Sequence, residues 1–125
     1  MKWSDRRLLD LFGIDHPILQ APMAGVTSPA MAVAVSEAGG LGAIAAAMLT
    51  PETLRAELQI ARQGTGRPIN ANFFVHQPPV ADAGREKAWR QRLAPYYREL
   101  GLAADAGADG PVRAPFSAAL CDVVL

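Results

Sequence analysis

Two textures alternate along the first 75 residues. Largely apolar segments at 18–21, 41–45 and 68–75 read as strands, and the middle one, the continuous run Leu41-Gly-Ala-Ile-Ala45, is what a strand buried on both faces requires. The intervening stretches carry helix start and stop signals. Ser28-Pro29 and Thr50-Pro51-Glu52 each place a capping hydroxyl before a first-turn proline, predicting helices from 29 to about 38 and from 51 to about 63. Met31, Val35 and Ala38 supply the apolar stripe of the first, which Gly39-Gly40 ends; Gly64-Thr-Gly66 ends the second. A short N-terminal helix is predicted with Ser4 as N-cap, Leu8, Leu9, Leu11 and Phe12 on its inner face, and Gly13 as its stop. Strands alternating with helices over short connections predict a parallel sheet with right-handed crossovers. Successive strands begin about 25 residues apart, close to one βα unit of a (β/α)8 barrel.

After residue 75 the pattern changes. Residues 77–84 read as a loop and 85–100 as a charged helix that Pro95 is expected to kink or split. Residues 101–115, rich in Gly, Ala and Asp, read as a mobile linker. Phe116, Leu120, Val123 and Val124 then form a helical stripe that meets no cap, glycine or polar tail before Leu125, so the sequence is expected to be a cut portion of a longer one. The expected organisation is one partial domain over 1–125: βα units at 15–75, an insertion and linker at 76–115, and a truncated helix at 116–125.

Composition narrows the function. Twelve basic residues balance 12 acidic ones, so neither nucleic acid nor a membrane surface is an expected partner. Half the residues (50%) are hydrophobic while aromatics make up 6%, which suits close helix-on-sheet packing. The single cysteine, Cys121, excludes an internal disulfide and fits a reducing compartment, so a cytoplasmic location is expected. No apolar core follows the charged N-terminus, which therefore does not read as a signal peptide, and no apolar stretch is long enough to span a membrane. No metal is expected.

The most informative segment is Pro17-Ile-Leu-Gln-Ala-Pro-Met-Ala-Gly-Val-Thr-Ser-Pro29: a strand, a loop of small residues, and a helix start. Such a loop lies at the carboxyl end of a strand, where parallel α/β folds bind ligands, and Gly25 lets a flat ligand approach the backbone. This segment, together with Ser36-Glu-Ala-Gly-Gly-Leu-Gly42 and Asn70-Ala-Asn-Phe-Phe-Val75, resembles the nitronate monooxygenase family, formerly 2-nitropropane dioxygenases. A charged stretch from about residue 85 with Trp89, Pro95 and Tyr96 is similar to the insertion that family carries after its third strand.

The resemblance implies an FMN-dependent TIM (β/α)8 barrel, of which this chain would be an N-terminal portion. It implies an oxidoreductase that uses oxygen to convert alkyl nitronates to carbonyl compounds and nitrite, with a homodimer compatible. Met23, Ala24 and Gly25 would lie against the flavin near N5 and O4, and Asn72 would contact it by its amide. The family's catalytic histidine would fall beyond Leu125, which leaves the catalytic group of this chain unknown. Two other readings stand beside this one: a flavin-dependent enoyl-acyl-carrier-protein reductase, and a partial barrel with no catalytic function.

Other residues carry weaker claims. Asn70 shares a face with Asn72 by the period of two, and Gln20 could face the barrel interior or the pocket. His76 follows the third strand but has only its position to recommend it as a base, and His16 lies at the opposite end. Gly39, Gly40 and Gly42 enter a strand rather than leave one and lack dinucleotide spacing, so they read as packing residues. Cys121 reads as a bystander, and the arginines of 85–100 as a solvated face.

Overall fold

The computed structural model describes residues 3–78, 80–103 and 114–125. Two compact units are present, one formed by Met1–His76 with Arg113–Leu125 and the other by Gln77–Val112.

In the first unit, α1 (Arg7–Phe12) precedes α2 (Pro29–Glu37), β1 (Gly42–Ile44), a single 3₁₀ turn (Ala46–Met48), α3 (Pro51–Gly64), β2 (Ile69–Ala71) and α5 (Ala118–Val124); α4 (Ala83–Glu99) belongs to the second unit. The sheet is parallel: Gly42 pairs with Ile69, Ala43 with Asn70 and Ile44 with Ala71. Leu19 adds a parallel bridge to Leu41 on the other side of β1. Strand, helix and crossover order thus follow the sequence-based expectation.

Several details depart from it. The first strand shrinks to one bridge, and Ile18 (59%) and Leu19 (49%) are exposed, because among the described residues nothing covers this edge. The third strand pairs only over Ile69–Ala71 rather than 68–75. Ser4 does not cap α1; the Asp5 carboxylate takes the Arg7 N–H at 3.0 Å and also binds the Arg7 guanidinium, a charge-assisted contact that outcompetes a hydroxyl. Only Leu9 and Phe12 turn inward, since Leu8 and Leu11 lie on the other side of so short a helix.

The inner stripe of α2 is rotated by one position, to Ala32 and Ser36 instead of Met31, Val35 and Ala38. The cause is Gly42. A Cβ there would run into the main-chain carbonyl of Ala32, so helix and strand approach until only Ala and Ser fit between them. Ser36 Oγ fills the seam, accepting the Gly42 N–H at 3.0 Å and donating to the Pro68 carbonyl at 2.8 Å. Around this seam Ala32, Ile44, Ala46, Leu54, Ala61 and Leu120 form the main core, with Val123 and Val124 of α5 packed on it. Burying a side chain such as Leu54 contributes about 1.5–3 kcal/mol. A smaller cluster joins Leu9, Ile14 and Leu41.

In the second unit α4 runs through Pro95 as one helix, so the expected split does not occur. Asp82 caps it, accepting the Arg85 N–H at 2.9 Å. Of the linker expected at 101–115, residues 104–113 lie outside the described residues.

Candidate functional site

Three strand ends define the site: the Leu19 segment, β1 and β2 run parallel, so the residues that follow each emerge at one end of the sheet. Beyond the Leu19 segment the chain turns at Met23. The Val26 N–H donates to the Met23 carbonyl at 3.1 Å and Gly25 has a φ of 76°, the signature of a type II turn with glycine at its third position. Thr27 locks the turn. Its hydroxyl donates to the Met23 carbonyl at 3.0 Å and accepts the Met23 N–H at 3.3 Å, while its own N–H reaches the same carbonyl at 2.9 Å.

Met23 main-chain groups are therefore consumed within the loop. The N–H groups of Ala24 and Gly25 have no partner among the described residues, and both residues are exposed. A Cβ on Gly25 would meet nothing within 4 Å. The Met23 side chain is also exposed, at 44%. Right after the turn, Ser28 caps α2 by accepting the Met31 N–H at 3.2 Å.

Asn72 lies just past β2, its N–H donating to the Ile44 carbonyl at 3.0 Å. Asn70 is in register with Ala43, so Asn70 and Asn72 share the face opposite Gly42 and Ile44, away from the helices. Both are half-buried, and among the described residues neither amide side chain makes a hydrogen bond. The turn and Asn72 belong to strands two apart, a separation of roughly 10 Å at ordinary strand spacing.

Gln20 stands between them. Its N–H continues the ladder to the Leu41 carbonyl at 2.9 Å, but its side-chain Oε1 accepts the Ala43 N–H at 3.0 Å in place of the main-chain carbonyl that a continuing ladder would use. Nε2 is fully shielded and has no partner among the described residues. A buried donor left unpaired costs about 1–3 kcal/mol. Two free main-chain donors, a bare glycine, an exposed thioether and an orphaned amide together fit a flat ring with hydrogen-bond acceptors on its edge.

The remaining candidates fall elsewhere. His16 stacks edge-on to Trp3, ring centroids 6.5 Å apart, at the amino end of the sheet, and His76 tilts against Phe74 at 5.9 Å. Gly39 and Gly40 are crowded by Asp15 and Val35, as packing residues should be. Cys121 is half-buried on α5. In the second unit a groove of about 770 Å³ lies along α4, lined by Val80, Ala81, Trp89 and Arg92 among others.

The sequence profile described as nitronate monooxygenase matches residues 5–106. The chain belongs to the nitronate monooxygenase family. It is similar to the nitronate monooxygenase of Pseudomonas aeruginosa, 47% identical over 107 residues that cover 86% of this chain and 29% of that one. The enzyme of Paraburkholderia phytofirmans is 46% identical over 96 residues, 77% of this chain and 26% of that one. The chain thus spans between a quarter and a third of the length of these curated relatives. Among solved structures it is similar to nitroalkane oxidase from Streptomyces ansochromogenes (TM-score 0.60, 41% identity, 76% of this chain and 26% of that one). It is also similar to FabK from Thermotoga maritima (TM-score 0.54, 35% identity, 77% and 28%).

Within this family portion, the motifs at 17–29, 36–42 and 70–75 all lie inside the matched region. The sequence reading missed the locking role of Thr27. Its only trace in the sequence is a hydroxyl four residues after Met23, a spacing common enough to pass unnoticed.

Proposed function

We propose that this chain supplies the first strands and the flavin-facing turn of an FMN-dependent (β/α)8 barrel that oxidises alkyl nitronates with oxygen to carbonyl compounds and nitrite. The observation that carries the reading is the locked turn at Met23–Val26, with the Ala24 and Gly25 N–H groups unpartnered among the described residues and Gly25 unobstructed. Family membership supports the choice of reaction. The helical insertion, α4 with Trp89 and Pro95, favours nitronate oxidation over the enoyl-acyl-carrier-protein reductase alternative.

Bound FMN would supply the electron acceptance from the anionic nitronate and its return to oxygen. The residues of this chain bind and orient. The Ala24 and Gly25 N–H groups would donate to acceptors on the ring edge, the Met23 thioether would pack on its face, and the Asn72 amide would hold it from the strand end two along. Donors fixed in place before binding need no reorganisation when charge develops on the ring.

The test is a titration of the ¹⁵N-labelled chain with FMN, followed by nitrite release from propyl-2-nitronate. Saturable shifts that include the amides of Ala24, Gly25 and Asn72 are the expected result. Saturable FMN binding that leaves these amides unmoved would overturn the site. NADH oxidation in place of nitronate-dependent nitrite release would favour the reductase reading.

A further inference from the structure

We infer that Gln20 is a ligand-binding residue: its side-chain Nε2 donates a hydrogen bond to an acceptor on the edge of the group that docks against the Met23–Val26 turn. This rests on the flavin reading and adds a donor to it.

The orientation of the amide is not arbitrary. The Ala43 N–H can only donate, so the atom facing it at 3.0 Å must be the carbonyl oxygen of Gln20, which forces the NH₂ to the other side. That NH₂ is shielded from solvent and, among the described residues, unpaired. Buried donors in folded proteins are nearly always satisfied, so this one is expected to find an acceptor outside the described residues.

The place of the amide says which acceptor. Ladder bonds Leu41 N–H to Ile18 carbonyl and Gln20 N–H to Leu41 carbonyl are both 2.9 Å, and the next bond is intercepted by the Gln20 side chain. A main-chain N–H of β1 lies in the plane of the sheet, so the Gln20 amide sits in that plane, in the gap where two strands part, rather than on the helix-covered face. Two residues later the chain enters the turn whose Ala24 and Gly25 N–H groups are also free. Three donors within residues 20–25 thus have no acceptor among the described residues, the complement of a heteroaromatic edge bearing carbonyl oxygens and ring nitrogens.

The test uses the full chain and FMN. Gln20→Glu keeps an oxygen for the Ala43 N–H and removes the donor; Gln20→Leu removes both. Expected for Gln20→Glu is FMN binding weakened about tenfold or more, the loss of one hydrogen bond, with a lowered flavin-free melting temperature as well, because a carboxylate replaces a neutral amide at a shielded position; Gln20→Leu instead strands the Ala43 N–H. In ¹⁵N-glutamine-labelled wild type, the Gln20 NH₂ resonances, assigned by their through-space contact with the Ala43 N–H, should shift on FMN addition, a readout independent of whether either variant folds. Wild-type binding with unmoved NH₂ resonances overturns the inference and leaves the flavin reading intact, whether or not Gln20→Glu binds less well. A wild-type chain that does not bind FMN overturns the flavin reading and this inference with it.

Discussion

The two ends of the parallel sheet are built on opposite terms. At the amino end, polar groups of the described residues find partners within the chain. Ser36 Oγ bridges the Gly42 N–H and the Pro68 carbonyl, Thr65 donates its hydroxyl to Glu37, Arg67 pairs with Asp15 at 2.8 Å, and the Gly39 carbonyl accepts the N–H groups of Asp15 and His16. Leu9 and Ile14 close the same end over Leu41. At the carboxyl end, donors are left without partners among the described residues: the N–H groups of Ala24 and Gly25, the Gln20 amide, and the side chain of Asn72. The apolar residues there, Met23 (44%), Val26 (65%) and Met48 (44%), are exposed. One end holds the strands together and the other is free to bind, the division of labour that parallel α/β folds show in general.

If the division is real, damage at the two ends should register in different measurements. The largest effect is expected from Gly42→Ala, whose methyl would collide with the Ala32 carbonyl, a main-chain atom that cannot step aside. A loss of roughly 3 kcal/mol in denaturant unfolding is expected, at the upper end for overpacking; tolerance of this substitution would contradict the close seam. Ser36→Ala should cost about 1–3 kcal/mol, because it strands a buried N–H and a carbonyl. Restoration by Ser36→Thr is not expected, since its extra methyl would have to enter the same seam.

Smaller stability effects, paired with larger binding effects, are expected at the other end. Gly25→Ala meets no obstacle, so its cost is conformational alone, about 1–2 kcal/mol for an L-residue held at positive φ. FMN affinity should fall by more than that, because the methyl stands where the ring would approach. Smallest is Thr27→Val, with about 0.5–1 kcal/mol lost from an exposed hydrogen-bond pair. It should nevertheless weaken FMN binding by freeing the turn, and Thr27→Ser should restore it. Isothermal titration beside a thermal melt separates the two readouts. Gly25→Ala or Thr27→Val variants that lose stability without losing FMN affinity would erase the contrast between the ends.

Much of this was legible before any coordinates. Ser28-Pro29 and Thr50-Pro51 start α2 and α3 where the residues indicate, because a cap is a contact within four residues of chain. Gly25 takes the positive φ that a small-residue turn needs, again a local matter. The motifs that resemble nitronate monooxygenases were readable for the same reason: they are continuous in sequence. The failure at Ser4 is local, its expected cap lost to the adjacent Asp5 carboxylate; the others share a cause. Which residues of α2 face the sheet depends on how near Gly42 allows the helix to come. The length of the first strand depends on a side chain reaching across to Ala43, 23 positions away.

By itself, then, the sequence determined the order of elements, their caps, the parallel alternation and the identity of the candidate turn, all set by interactions over a few residues. Only the tertiary structure decided the rotation of α2, the early parting of the first two strands, and the surplus of unpaired donors at one end of the sheet. Those depend on distances between segments far apart in the chain, where a missing methyl at Gly42 or an amide at Gln20 changes what its neighbours can reach.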